Sequence, residues 1–403
     1  MPGNPKLLRL IHEEIRRHGA IPFARYMDLA LHHPEYGYYA QERPLIGHEG
    51  DFLTSPSFHP AFGRTLWRQV REMLEILGFA GPRRPRRPAR ILEIGAGGGH
   101  LARDLLVAAR EDGCGPDGLE YVIVDESRRL QQRQRELIAA AWPDAPVRWV
   151  PRVEQAGPVH VVLMNELMSA FPVHRLLRDE AGEWRELYVT LRDGRFTYRA
   201  GPVSEPRVLR ILREEQITPP PGHIVDVNVG AGDMLRAIAG GLARRAFVVT
   251  IDYGGPASEV YRPGRPQGSL RGYYRQQRLD DPFARPGEQD ITADLDFTYL
   301  QRLGRTLGLR DLGLLPQGAF LLNLGIEEEA LALARRARQG DLAADLELQR
   351  VYALYAPEGL GEAFWVLVQA RGFRWRAPRL AGLRRPWPVA RSLAELFAAA
   401  GTP

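Results

Sequence analysis

Residues 89–113 read ARILEIGAGGGHLARDLLVAAREDG, which is a short apolar strand, a run of glycines and an amphipathic helix without interruption. No other segment constrains the fold as much. A strand that passes directly into a helix must return through a crossover, and the next strand then lies parallel to it. The pattern repeats. LEYVIVDES (119–127) predicts a strand, 127–141 a helix, VRWVP (147–151) and VHVVLMNE (159–166) two strands, and AFVVTIDYGG (246–255) a further buried strand. Helix is predicted near 296–307 and 326–338, with strands at 319–324, 351–355 and 364–370. The expected fold class is α/β: a Rossmann-like parallel sheet with helices on both faces.

The remaining segments decorate that core. Residues 5–18, 22–33 and 59–78 have helical spacing around a loop rich in Gly, Pro and aromatics, so residues 1–80 are expected to form a helical N-terminal cap. WRELYVTLRDGRFTYRA (184–200) alternates on both sides of Asp193-Gly194 and predicts a β-hairpin. The core is expected over 89–372, with insertions at about 180–230 and 255–297, followed by a Pro/Arg/Ala-rich tail over 373–403.

Composition narrows the function. Cys114 is the only cysteine, which excludes an internal disulfide. The histidines show no metal-ligand spacing, so no metal site is expected, and no G-x-S-x-G elbow is present. The formal charge is +5, from 54 basic and 49 acidic residues, and Lys6 is the only lysine. The one dense basic cluster, Arg83, Arg84, Arg86 and Arg87, is interleaved with prolines and reads as a stiff linker; no nucleic-acid partner is expected. With no apolar run long enough to span a bilayer and no signal-peptide pattern at the start, the expectation is a cytoplasmic protein.

The chemistry concentrates at strand ends. Glu93, Gly95, Gly97 and Gly99 form E-x-G-x-G-x-G, in which missing side chains let a ligand approach the backbone and the helix N-terminus. A dinucleotide fingerprint from Gly95 would need glycine at position 100, where His100 stands, which disfavours a nicotinamide-dependent oxidoreductase. The acid-first pattern suits S-adenosylmethionine (SAM), whose amino and sulfonium groups are cationic. Asp125, ending the next strand, is placed to accept ribose hydroxyls. Asn165 and Glu166 end another buried strand, where a parallel sheet presents its ligands, and Asp252 ends the strand after it.

Beyond these, HPEYGYY (33–39), GDFLTSP (50–56), ILEIGAGGG (91–99), IVDES (123–127), NELMSAFPVHR (165–175), IDYGG (251–255), LRGYYRQQ (270–277), PGEQDITADLDF (286–297) and LLNLGI (321–326) occur in order from about Ile21 to Gly372. In these motifs the chain resembles the MidA-like family of SAM-dependent methyltransferases, which includes a mitochondrial complex I assembly-factor arginine methyltransferase. The resemblance implies a seven-strand class I methyltransferase sheet with a helical N-terminal cap and insertions. It also implies SAM as cofactor and, for mitochondrial members, methylation of an arginine on a respiratory complex I subunit. It places Glu93, Gly95, Gly97, Gly99, Asp125 and Asn165 at the cofactor, and Asn165, Glu166, Asp51 and Tyr273 at the acceptor. The family pattern carries Glu, Asp and His where this chain has Ser57, Ser169 and Gln276. Losing two carboxylates and an imidazole bears on how a guanidinium would be held and deprotonated. The alternative reading is therefore a non-catalytic SAM-binding assembly protein.

Overall fold

The computed structural model describes residues 2–41, 43, 50, 54–79, 87–115, 117–373 and 377–401. Asp51 and the arginines at 83, 84 and 86 lie outside the described residues. The chain forms two compact units, each built from three segments: residues 1–53, 166–236 and 253–303 in the first, and 54–165, 237–252 and 304–403 in the second. These units cut across the boundaries expected at residues 80 and 373. The third predicted helix leaves the N-terminal segment because it packs on the glycine-turn helix.

The second unit holds the main sheet. Its strands are β1 (Ala89–Ile94), β2 (Leu119–Val124), β3 (Val147–Val150), β4 (Val159–Asn165), β5 (Leu242–Gly255), β6 (Arg310–Pro316) and β7 (Phe364–Arg371). Their order along the sheet is 3-2-1-4-5-7-6. Pairings 3-2, 2-1, 1-4 and 4-5 are parallel, and β6 is antiparallel to β7. β1, β2 and β4 are buried along nearly their whole length, as expected of parallel strands covered on both faces. Flanking helices include α1 (Ala61–Leu77), α2 (His100–Glu111) and α3 (Arg128–Ala141). α1 packs closely on α2: a side chain at Gly63 would collide with Asp104, and Trp67 Nε1 donates to Asp112 Oδ2 at 2.8 Å.

Two expected strands are helices. Residues 319–323 belong to the helix Gln317–Asn323, which Leu324 caps, and the neighbouring strand β6 ends just before it. Ala319, Phe320 and Leu321 are all buried, and an apolar run this short does not distinguish strand from helix by its period. Residues 351–355 are the last turn of the helix Leu342–Tyr355, where Ala344, Leu348, Val351 and Tyr355 are buried at helical spacing.

In the first unit the helix Pro5–His18 is capped by Asn4, whose side chain accepts from the Lys6 amide at 3.0 Å, and it buries Leu7, Ile11 and Ile15. An antiparallel sheet runs in the order Ile21–Pro22, Trp184–Arg192, His174–Arg178, Ile224–Val227. The expected hairpin pairs Trp184–Arg192 with Arg195–Gly201, and its turn residues Asp193 (φ 51°) and Gly194 (φ 73°) have the two positive φ values of a type I′ turn. Within this sheet Arg175 is buried with Nε 3.0 Å from Asp226 Oδ1 on the neighbouring strand, while its other nitrogens donate to the Tyr198 hydroxyl at 2.8 Å and the Gln267 carbonyl at 2.7 Å. Asp226 Oδ2 in turn accepts from the amides of Ser269 and Leu270 at 2.7 and 3.0 Å. The pair is thus hydrogen-bonded on both sides, the condition under which buried charges are tolerated. The strand Leu295–Asp296 pairs in parallel with Gly254–Gly255, the last residues of β5, which belong to this unit.

Candidate active site

Strand register brings the predicted cofactor residues to one level. Ile94 lies opposite both Val124 and Met164, and Ile251 lies opposite Asn165. The next residues along β1, β2 and β4 are Gly95, Asp125 and Asn165, so all three stand at the carboxyl edge of adjacent parallel strands. Two amides tie the levels together, Gly95 to the Val124 carbonyl at 3.1 Å and Asp125 to the Val150 carbonyl at 3.2 Å.

The turn needs its glycines. Gly95, Gly97 and Gly99 have φ values of 71°, 51° and 85°, a region that strains any residue with a Cβ. Position 99 is also closed sterically, since a Cβ there would come within 3.1 Å of Gln134 Cα. His100 opens α2, and burial lowers its pKa below the usual imidazole range, favouring the neutral ring.

Glu93 lies one step deeper, 3% exposed, and its Oε2 accepts from the Tyr121 hydroxyl at 2.8 Å. Burial raises its pKa to about 7, the Tyr121 hydrogen bond opposes that rise, and the Asp125 charge adds to it. A buried carboxyl poised near neutrality accommodates a cation, which would favour its ionised form. Asp125 is half-buried; burial raises its pKa, against hydrogen bonds from Ser127 and Gln134. Its Oδ1 accepts from the Ser127 amide at 2.9 Å and its Oδ2 from Gln134 Nε2 at 2.8 Å. A carboxylate has about four acceptor sites, so both oxygens keep capacity for a diol. An acid that welcomes a cation, a turn open to close approach and an acid with spare acceptor capacity fit the amino group, backbone and ribose of SAM.

The acceptor candidates divide between the units. Asn165 ends β4 in the second unit, and Glu166 and Tyr273 belong to the first. Glu166 has φ 54°, a left-handed backbone in a residue with a full side chain. Tyr273 lies in the strand Arg271–Tyr274, opposite Arg278 and Asp290. The three departures each have a local setting. Ser57 closes a capping box with Thr54: its hydroxyl accepts from the Thr54 amide at 2.9 Å and donates to the Thr54 carbonyl at 2.8 Å. Ser169 is buried, and its carbonyl accepts from the Ala293 amide at 3.0 Å. Gln276, exposed, follows Arg275 in a two-residue turn in which both have positive φ (63° and 48°).

Sequence reading did not single out Tyr121 or Gln134. Gln134 is fully buried on a helix whose only other buried residue is Ile138, four positions on, so a polar residue on the inward stripe was the available signal.

A Rossmann-like parallel sheet with a glycine turn and two carboxyl groups near the carboxyl ends of adjacent strands has the architecture of a SAM-dependent methyltransferase. Residues 65–315 match the model of a family described as S-adenosyl-L-methionine-dependent methyltransferase, and the chain belongs to that family. It is similar to a Burkholderia thailandensis protein whose crystal structure holds S-adenosyl-homocysteine: 32% identity, 95% of each chain covered, TM-score 0.83. A native structure from the same organism and superfamily gives 33% identity, the same coverage and a TM-score of 0.80. Among curated proteins, the mitochondrial protein arginine methyltransferase NDUFAF7 of Rattus norvegicus is 28% identical, over 89% of this chain and 83% of its own. Its Homo sapiens counterpart is 26% identical, over 90% and 82%. The expectation of a cytoplasmic protein is corrected by these relatives, which carry mitochondrial names and point away from the cytoplasm.

Proposed function

We propose that this methyltransferase modifies an arginine side chain of a protein, with a respiratory complex I subunit as the acceptor. The observation that carries the reading is likeness over 89–90% of the chain to enzymes named protein arginine methyltransferases. In this proposal Glu93, the glycine turn, Asp125 and Asn165 hold SAM, which supplies a methyl group already activated on a sulfonium. The protein's own contribution is to bind, orient and exclude water. Glu166 and Asn165, with Asp51 and Tyr273, hold the guanidinium, and Glu166 is the carboxylate that pairs with it and receives its proton. The left-handed backbone of Glu166 supports a functional role, because such conformations persist where the surroundings enforce them.

The test is transfer of labelled methyl from SAM to complex I subunits of the same organism, with the modified residue identified by mass spectrometry. Label on arginine that disappears with Glu166→Gln, while SAM binding persists, supports the proposal. Label on another residue type or on a small molecule overturns the acceptor. SAM binding with no incorporation favours the non-catalytic assembly protein.

A further inference from the structure

We infer that Gln134 is a positioning residue for the cofactor: a buried strut that fixes the glycine turn and the ribose acid at a set separation. The inference rests on the reading of Asp125 as the ribose acceptor.

Both ends of the Gln134 side-chain amide are engaged. Nε2 donates to the Gly97 carbonyl at 2.9 Å and to Asp125 Oδ2 at 2.8 Å, and Oε1 accepts from Trp149 Nε1 at 2.9 Å. The orientation of the amide is not interchangeable. Indole N–H only donates, whereas a carbonyl and a carboxylate only accept, so the reversed amide would lose all three bonds. Trp149 therefore dictates which end of Gln134 faces the site. The strut spans β3, the turn after β1 and the end of β2 from a helix position with no exposure to solvent.

The backbone of α3 is equally close. Gly99 is squeezed against Gln134 Cα and Cγ, both 3.1 Å from where a Cβ would stand. Ser127, which caps α3 by accepting from Leu130 N at 3.3 Å, gives its own amide to the other oxygen of Asp125. Asp125 thus takes one donor on each oxygen, both from the first two turns of one element. The carboxylate plane is set before ligand arrives, and its remaining acceptor sites are held in a fixed direction. Preorganisation of this kind raises affinity by reducing what must be ordered on binding.

The experiment uses the full chain and two ligands, S-adenosyl-homocysteine and its 2′,3′-dideoxy analogue, titrated by calorimetry against wild type, Asp125→Ala, Gln134→Glu and Trp149→Phe. Gln134→Glu keeps the shape, removes the donor and sets a second carboxyl beside Asp125; Trp149→Phe removes the N–H that orients the amide together with part of the ring. Gln134→Glu is expected to weaken the parent ligand about 10- to 100-fold, the range of one hydrogen bond to a charged group, and the dideoxy analogue less than about 3-fold. Trp149→Phe should fall between wild type and Gln134→Glu in the same discrimination, and it decides the matter if Gln134→Glu does not fold. Equal loss of both ligands, or no loss of either, in the Gln134 and Trp149 variants overturns the strut while Asp125→Ala still discriminates. If Asp125→Ala itself treats the two ligands alike, the ribose reading fails and the inference falls with it.

Discussion

Replacing Glu93 by Gln separates the cost of burying this carboxyl from its use. In the folded protein without ligand the group takes up its proton at about 7, against an ordinary 4.5. Between those values the folded chain holds a proton that the unfolded chain has released, so wild-type stability falls as pH rises from 4.5 to about 7 and is flat above. The full loss is about 3 kcal/mol. Glutamine is neutral throughout and keeps an oxygen for the Tyr121 hydroxyl. The stability of Glu93→Gln relative to wild type should therefore rise by about 2–3 kcal/mol between pH 5 and 8, read from denaturant unfolding at each pH. The same group predicts proton release on binding SAM, since a cation favours the carboxylate. Most of one proton should leave per ligand at pH 6 and little at pH 8. Calorimetry in buffers of different ionisation enthalpy reads this number directly, and the Gln variant should show neither release nor tight binding. Identical pH dependence of stability in both proteins, with no proton release at pH 6, would refute the reasoning.

Four further outcomes follow from the site. Gly97→Arg should abolish SAM binding with the fold retained, because the side chain strains a φ of 51° and fills the approach to the turn; calorimetric titration at wild-type affinity would place the cofactor elsewhere. Asp125→Ala should weaken SAM by about 1–3 kcal/mol, measured by the same titration, and a loss below that range would remove the ribose role. Restoring the family residues together, as Ser57→Glu, Ser169→Asp and Gln276→His, should raise arginine methylation non-additively if they share one site. Ser169→Asp alone should lower the unfolding midpoint, since it buries a carboxyl, whereas Ser57→Glu should not, because glutamate also closes a capping box.

The strand ends were legible because local pattern and tertiary role coincide there. A glycine turn between strand and helix, or an acid ending an apolar strand, means the same in sequence as in space. Gln134 was not legible because its meaning depends on three partners from three other segments, at Gly97, Asp125 and Trp149. The two misread strands show the limit of short windows. VYALY has strand-like composition, but its burial continues a helical stripe begun at Ala344. The reach of the first unit was hidden for another reason. Leu7, Ile11, Phe23 and Tyr38 share a hydrophobic core with Val173, Val189, Phe196 and Ile291, contacts that no periodicity within the N-terminal segment announces.

The division of each unit into three segments governs how the chain can be made and cut. Synthesis proceeds from the N-terminus, and domains tend to fold once their chain is available. The first unit has all its residues when position 303 has emerged, while the cofactor sheet still lacks β6 and β7, which lie in 304–403. A ribosome paused in that interval holds one finished body and one open-edged sheet, the species most in need of a chaperone. For the same reason no single cleavage releases either unit whole, and a proteolytic fragment of this protein reports on neither alone.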